Sequence, residues 1–385
     1  FKTIADPFAG KLTLFRVFSG VLKADSNVYN ATRDKKEKIG NIFYLLGKKQ
    51  VPVKEAGPGE IAAVAKLKET QTGDTISDPA NPVVFEPVRF SDPMISYAIE
   101  PKSRGDEEKV STSLHKMLEE DPTLKFHRDT ETKEMILAGM GQVHLEVTLE
   151  RLKRKFGVDV LMKTPKIPYR ETIKASSSAQ GKYKKQSGGR GQYGDCWIKI
   201  EPLPRGSGFE FVDKIVGGVI PRQYIPAVEK GILETMQRGL IAGYPVVDIK
   251  ATLYDGSYHS VDSSEMAFKI AGSMALKNAA ANAKVVLLEP IVKVEVITPD
   301  EFLGNVIGDL NSKRGKVQGV EPQAGGNQKI TALVPMAEML TYANQLNSLT
   351  SGRGIYTMEA SHYEEVPSHL AQKIIAEKAE SIKEE

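Results

Sequence analysis

The order strand, helix, strand, strand, helix, strand can be read twice in this 385-residue chain, and it limits the possible folds more than any single motif does. Over residues 93–163, MISYAIEP has the look of a first strand, and EEKVSTSLHKMLEEDP sets Val110, Leu114, Met117 and Leu118 on one helical face. LKFHRD and KEMILAG predict a hairpin, GQVHLEVTLERLKRKFG a second helix and VDVLMK a last strand. Over residues 291–363 the same order returns in IVKVEVITP, EFLGNVIGDLNSKRG, GKVQGVEPQ with QKITALVP, MAEMLTYANQLNSLTSG and GIYTMEASHY. Both segments predict a ferredoxin-like split βαβ unit, although no residue-level repeat joins them.

Two such units leave most of the chain unassigned, and a chain of this length exceeds one ordinary core. Residues 1–85 are short alternating strands broken by glycine and charged turns, which predicts a small β-barrel. Pro79, Pro82, Pro87 and Pro93 stiffen the connector that follows. The expected organisation is therefore multidomain α+β: a barrel over 1–85, a ferredoxin-like unit over 86–164, an α/β domain over 165–290, a second ferredoxin-like unit over 291–366 and a helical tail over 367–385. In the tail Leu370, Ile374 and Ile382 fall on one helical side, so it can dock or fray. The chain opens on Phe1 in mid-pattern, as expected of a piece of a longer protein.

The α/β domain carries the unusual chemistry. Its stretch GKYKKQSGGRGQYG has four cations (Lys182, Lys184, Lys185, Arg190), two tyrosines (Tyr183, Tyr193), five glycines and no acid before Asp195. Such a loop can lie flat on another surface and complement a phosphate backbone. A mobile hairpin tip kept soluble by its charges accounts for the same residues equally well. A second loop, DGSYHSVD, stands between the strand PVVDIKATLY and the helix SSEMAFKIAGSMALKNAAANAK. The amides and dipole at a helix start favour an anion, and Tyr258 and His259 offer flat groups for stacking, although His259 taken alone reads first as an ordinary solvent-facing histidine. An ordinary histidine is mostly neutral at pH 7, so His259 would stack or donate a hydrogen bond more than supply charge. Asp262 and Glu265 are spaced as a capping box, which predicts a sharp helix start just after the loop.

Several chemistries are excluded or disfavoured. Ser257, His259 and Asp262 lie within a few residues of one loop and do not suit a hydrolytic triad, whose members converge through space. The six histidines are scattered without zinc-ligand spacing. No GxxxxGK[ST] loop occurs, and GMGQVH lacks the third glycine of a dinucleotide fingerprint. Cys196 alternates with Ile198 and Ile200, the pattern of a buried structural thiol. A net charge of only +3 excludes a wholesale polycation, so any contact with nucleic acid must be local. No signal peptide or membrane-length apolar run appears, and the expectation is a cytoplasmic protein without a membrane partner.

Taken in order, DPFAGKLTLFRVFSG, TGDTISD, EEDPT, GMGQVHLEV, KQSGGRGQYG, GGVIPRQYIPAVEKG, IAGYPVVD, GSYHSVDSSEMAFKIAGS, LLEPIVKVEV, GDLNSKRGKVQG, VPMAEMLTYANQLNSLTSGRG and YTME resemble the second to fifth domains of bacterial elongation factor G along the whole chain. NIFYLLGKKQVPV after the barrel turn, and GMGQVHLE where GMGELHLE is usual, resemble the elongation factor G-like paralogues. The resemblance implies a ribosomal-protein-like α/β domain and, in the parent, an amino-terminal GTPase domain using GTP and magnesium; the present chain would not itself be an enzyme. It implies the ribosome as partner, through ribosomal RNA, ribosomal proteins and the tRNA–mRNA duplex, together with the parent's own GTPase domain. By position, His259 and the run Gln186, Gly188, Gly189, Arg190, Gly191 and Gln192 would touch the codon–anticodon duplex during translocation. Lys184, Lys185, Ser187, Tyr193, Ser257, Tyr258 and Asp262 complete the expected RNA-contacting set. Recycling, rescue or protection of the ribosome by the same family, or a free-standing RNA-binding protein, are the alternative expectations.

Overall fold

The computed structural model describes residues 1–6, 10–47, 49–103, 105–186 and 191–384. At the amino-terminal end, a five-stranded antiparallel sheet, a three-stranded sheet and a two-stranded ribbon surround one core. Val17, Ile39, Ile42, Ala56, Ala62, Val64 and Leu67 fill it. The alternation of strand Ile61–Ala65 is blurred because Ala62, Ala63 and Val64 are all buried. Small side chains let neighbouring strands close over both faces there.

The next unit forms a four-stranded antiparallel sheet in the order Lys125–Arg128, Met135–Gly139, Ile95–Pro101, Val160–Lys163. Helices Glu107–Glu120 and Gln142–Phe156 bury Val110, Leu114, Met117, Leu145 and Leu152. The strand order is that of the split βαβ unit read in the sequence. Its junction with the barrel is polar. Glu120, whose side chain is 6% exposed, accepts from the Ala5 amide at 2.7 Å, from Arg151 at 2.5 Å and from Lys155 at 2.6 Å. Two of the cations at the end of the second helix are thus consumed at the junction.

The same strand order recurs in the sheet Lys316–Gln323, Asn327–Pro335, Val285–Pro299, Ile355–Glu365. Its core is continuous with that of the first split unit, Ile95 and Val110 clustering with Val294, Val306 and Tyr342. The Tyr356 hydroxyl crosses between them to donate to the Met94 carbonyl at 2.5 Å. Strand Val285–Pro299 spans 15 residues and runs through the boundary expected near 290. Its first four residues pair with Arg170–Ile173, at the root of the α/β domain, and the remainder belongs to the second split unit.

The α/β domain, here the arm, is rooted on this strand through Arg170–Ile173. Its sheet runs Ser177–Lys185, Gln192–Pro202, Ile249–Ser257, Phe209–Asp213, with only the last pair parallel. Helices Ile225–Arg238 and Glu265–Ala280 close over the apolar side. Ile198, Ile200, Ile249, Leu253, Phe268 and Leu276 are fully buried between the layers. Burial of each such side chain contributes roughly 1.5–3 kcal/mol. The second helix lies directly on the hairpin, since a Cβ at Gly181 would stand 2.0 Å from the Ala271 carbonyl oxygen. Glycine is the residue that close approach requires.

Pro226 lies in the first turn of the helix Ile225–Arg238, while Pro221 opens a short 3-10 turn ahead of it. The carboxy-terminal helix Ser368–Glu384 docks, its Leu370, Ala371, Ile374 and Ile375 packing on Tyr169 and Tyr244 at the root of the arm. The side chain of Ile382 lies outside the described residues.

Candidate nucleic-acid interface

The basic stretch forms a long hairpin. Strands Ser177–Lys185 and Gln192–Pro202 pair as far as Lys184 with Tyr193 and Lys185 with Gln192. Lys182, Lys184, Lys185 and Gln186 are exposed. Ser187, Gly188, Gly189 and Arg190 lie outside the described residues. The second loop meets the hairpin at Gly191.

The contact between the loops is made by Asp262. Its Oδ1 accepts the Gly191 amide at 3.0 Å, and its carbonyl accepts the Tyr193 amide at 2.8 Å. Residues Tyr193 and Ser263 form an isolated parallel bridge beside this clasp. A Cβ at Gly191 would stand 3.0 Å from the Asp262 carboxyl carbon, so a larger residue there would crowd that carboxylate. Segments some seventy residues apart in the chain therefore share one end of the arm, with Tyr193 and His259 rings 6.4 Å apart.

Beneath the clasp lies a polar network. The Asp195 carboxylate, in a residue only 5% exposed, accepts from Gln180 at 2.7 Å and from the Ser257 hydroxyl at 2.7 Å. The Tyr193 hydroxyl shares a 2.7 Å bond with Ser257, and the Lys182 ammonium stands 5.9 Å from the Tyr193 ring centroid. Three strands are tied together by side chains here, and the buried charge of Asp195 is satisfied by neutral donors. Tyr183 donates to the Gln192 side chain at 3.1 Å, fixing the hairpin one step nearer its tip.

The residues singled out in the sequence therefore divide. Lys184, Lys185, Gln186, Gln192, Tyr258 and His259 are exposed at the end of the arm, where a ligand can reach them. Gly191, Tyr193, Ser257 and Asp262 spend their hydrogen bonds on holding the loops together. Asp195, Gln180 and Ser263 belong to the same assembly and were not singled out. Asp195 was visible as the first acid after the basic run, but its meaning depends on a cross-strand register that the sequence does not display. The helix start also differs from expectation: the N-cap is Ser264, whose hydroxyl accepts the Ala267 amide at 3.2 Å. Asp262 is drawn away from that role because its carboxylate is held by Gly191 across the gap.

Ser257, His259 and Asp262 are not arranged as a hydrolytic triad. Ser257 is bonded to Asp195 and Tyr193, while the nearest carboxylate to the His259 Nδ1 is Asp262 at 3.4 Å; the serine is not placed to be activated by the imidazole. Cys196 is fully buried, and burial first, then the neighbouring Asp195, pushes its thiol up to about 12, so it is not a nucleophile at neutral pH. Among the described residues no group of three or more His, Cys, Asp or Glu could hold a metal ion. No phosphate-cradling GxxxxGK[ST] loop occurs in the sequence. Among the described residues no helix is long and apolar enough to cross a membrane.

Comparison with known proteins accords with this architecture. The model for elongation factor G domain 2 matches residues 1–79, domain III residues 90–164, domain IV residues 165–284 and the elongation factor G C-terminus residues 286–374. These matches leave only short gaps between residues 1 and 374, and none is a GTPase domain, so the family's catalytic domain is not in this sequence. A crystal structure of a protein from Thermus thermophilus is 43% identical, with 98% of this chain and 57% of that chain covered and a TM-score of 0.80. The chain thus spans a little over half the length of that relative. Four domain models of one family, matched in sequence order, assign the chain to the elongation factor G family.

Proposed function

We propose that this chain is the ribosome-binding part of an elongation factor G-type translation factor, and that the end of the arm enters the decoding region to promote movement of tRNA and mRNA. The observation that carries this reading is the clasp through Asp262, which brings a basic hairpin and a loop bearing Tyr258 and His259 to one exposed end. A surface of cations, amide groups and flat side chains suits contact with RNA backbone and shape, and such contact does not depend on the codon. GTP and magnesium would act on a GTPase domain outside these residues. The departures at NIFYLLGKKQVPV and GMGQVHLE support assigning the parent to the elongation factor G-like paralogues.

The shared core of the two split units supports a mechanical role for them, because a displacement of one is carried to the other and on through strand Val285–Pro299 to the arm. Replacing Lys184, Lys185 and Arg190 together with alanine tests the proposal. Affinity for programmed ribosomes should fall and its dependence on salt should flatten, by about 0.7–0.9 in the log–log slope for each phosphate no longer neutralised. Unchanged affinity and slope in a folded variant would make the hairpin a passive tip.

A further inference from the structure

His259 sits in a small closed unit. Its backbone amide donates to the Ser263 hydroxyl at 2.8 Å, and its carbonyl accepts the Ser263 amide at 3.1 Å. The ring is held as well, because Nδ1 faces the Asp262 amide at 3.1 Å and the Val261 amide at 3.3 Å. Two N–H groups aimed at one ring nitrogen require a lone pair there. In a neutral imidazole the proton must then be on the other nitrogen. The competing partner of Nδ1 is the Asp262 Oδ2, at 3.4 Å. That carboxylate is farther from Nδ1 than either amide, and its other oxygen is already held by Gly191.

We infer that the backbone of residues 259–263 locks neutral His259 as the Nε2–H tautomer, so that the arm presents a committed hydrogen-bond donor to an acceptor atom in an RNA groove. This rests on the functional reading above and states what its histidine can recognise. Base pairs of every kind offer acceptors on the minor-groove edge, whereas only those containing guanine add a donor. In A-form RNA that groove is wide and also displays the 2′-hydroxyls. A ring fixed as a donor therefore finds a base-edge acceptor on any codon–anticodon pair, while an Nε2 lone pair would find a base-edge donor only on pairs containing guanine and would otherwise depend on a 2′-hydroxyl. Val261, Asp262 and Ser263 are positioning residues in this scheme, and the donor is the group that touches RNA.

The test has two arms. Long-range proton–nitrogen correlation spectra of the nitrogen-15-labelled chain at pH 8 identify the His259 tautomer without any ribosome, the signal being assigned by its loss in His259→Asn. The Nε2–H form is expected, and an Nδ1–H form, or an even mixture, overturns the inference whatever the arm binds. The second arm uses His259→Asn itself, whose side-chain oxygen can accept the same two amides but cannot reach outward. The Val261 and Asp262 amides should keep their protection from exchange while affinity for programmed ribosomes falls about fivefold, the loss expected for one hydrogen bond. Wild-type affinity in His259→Asn, or loss of amide protection, overturns the inference. If His259→Asn binds normally while the Lys184, Lys185 and Arg190 variant is weakened, the donor role fails and the ribosomal reading survives.

Discussion

The root and the end of the arm use one device in opposite surroundings. At the root, Glu171 is fully buried and its carboxylate accepts four backbone amides, from Leu240, Ile241, Ala242 and Tyr244, at 2.6–3.1 Å. At the end, Asp262 is half-buried and, among the described residues, its carboxylate accepts one amide, from Gly191 at 3.0 Å. The root carboxylate is fully buried and bonded to the amides of Ala242 and Tyr244, both members of the apolar cluster that the carboxy-terminal helix joins, whereas the clasp at the end has Lys184, Lys185, Tyr258 and His259 exposed around it. A carboxylate wrapped by amides fixes the path of a loop in either place. Immersed in apolar contacts it makes an anchor, and at a solvent-facing end it sets a spacing while leaving the surrounding groups free to bind.

The sharpest way to break this comparison is to remove the root carboxylate. Glu171→Ala leaves several buried amides without an acceptor, and a loss of roughly 4 kcal/mol is expected from urea unfolding. A loss no larger than that of Asp262→Ala would mean that burial does not separate the two sites. Glu37 in the barrel extends the comparison. Burial would raise its pKa, but the amides of Thr70, Glu69 and Lys68 and the Thr70 hydroxyl outweigh burial, and the net shift is downward. A carboxyl depressed on folding stabilises the protein above its unfolded pKa, and that stabilisation is lost as pH falls through the folded value. Stability measured against pH should therefore drop below about pH 4. Glu37→Gln should be less stable at pH 7 and show a shallower drop; an unchanged acid limb would remove Glu37 from the set.

The smallest effect is expected at the end of the arm. Asp262→Ala should cost only about 1 kcal/mol in global stability, because one exposed-side hydrogen bond is lost. Hydrogen exchange should nevertheless quicken at the Gly191 amide while the Leu240 and Ala242 amides are unaffected. Equal quickening at both ends would show that root and tip are one cooperative unit.

Much of this was legible in the sequence, and the reasons are physical. The two split units declare themselves because Val110, Leu114 and Met117 recur at helical spacing and buried strands are apolar, a local signal. The exposed chemistry of the hairpin was legible for the same reason, since a run of cations without acids needs no partner to be recognised. The clasp was not. Asp262 spaced from Glu265 reads locally as a cap, and only the approach of Gly191 from a distant strand redirects it. The Glu171 knot was equally hidden, because an isolated glutamate in YRETIKA says nothing about a loop seventy residues further on. The double use of strand Val285–Pro299 also escaped, because a continuous strand carries no mark where its partners change.

The account depends on the two loops meeting the same stretch of ribosomal RNA, and tethered cleavage measures that directly. Because Cys196 is buried and unreactive, Gln186→Cys and Tyr258→Cys each provide a single accessible thiol for an iron chelate that cuts nearby RNA. Both tethered chains, bound to programmed ribosomes, should cut overlapping nucleotides of the small-subunit RNA around the decoding site. Cuts at separate locations, or none from either position in a bound chain, would contradict the claim.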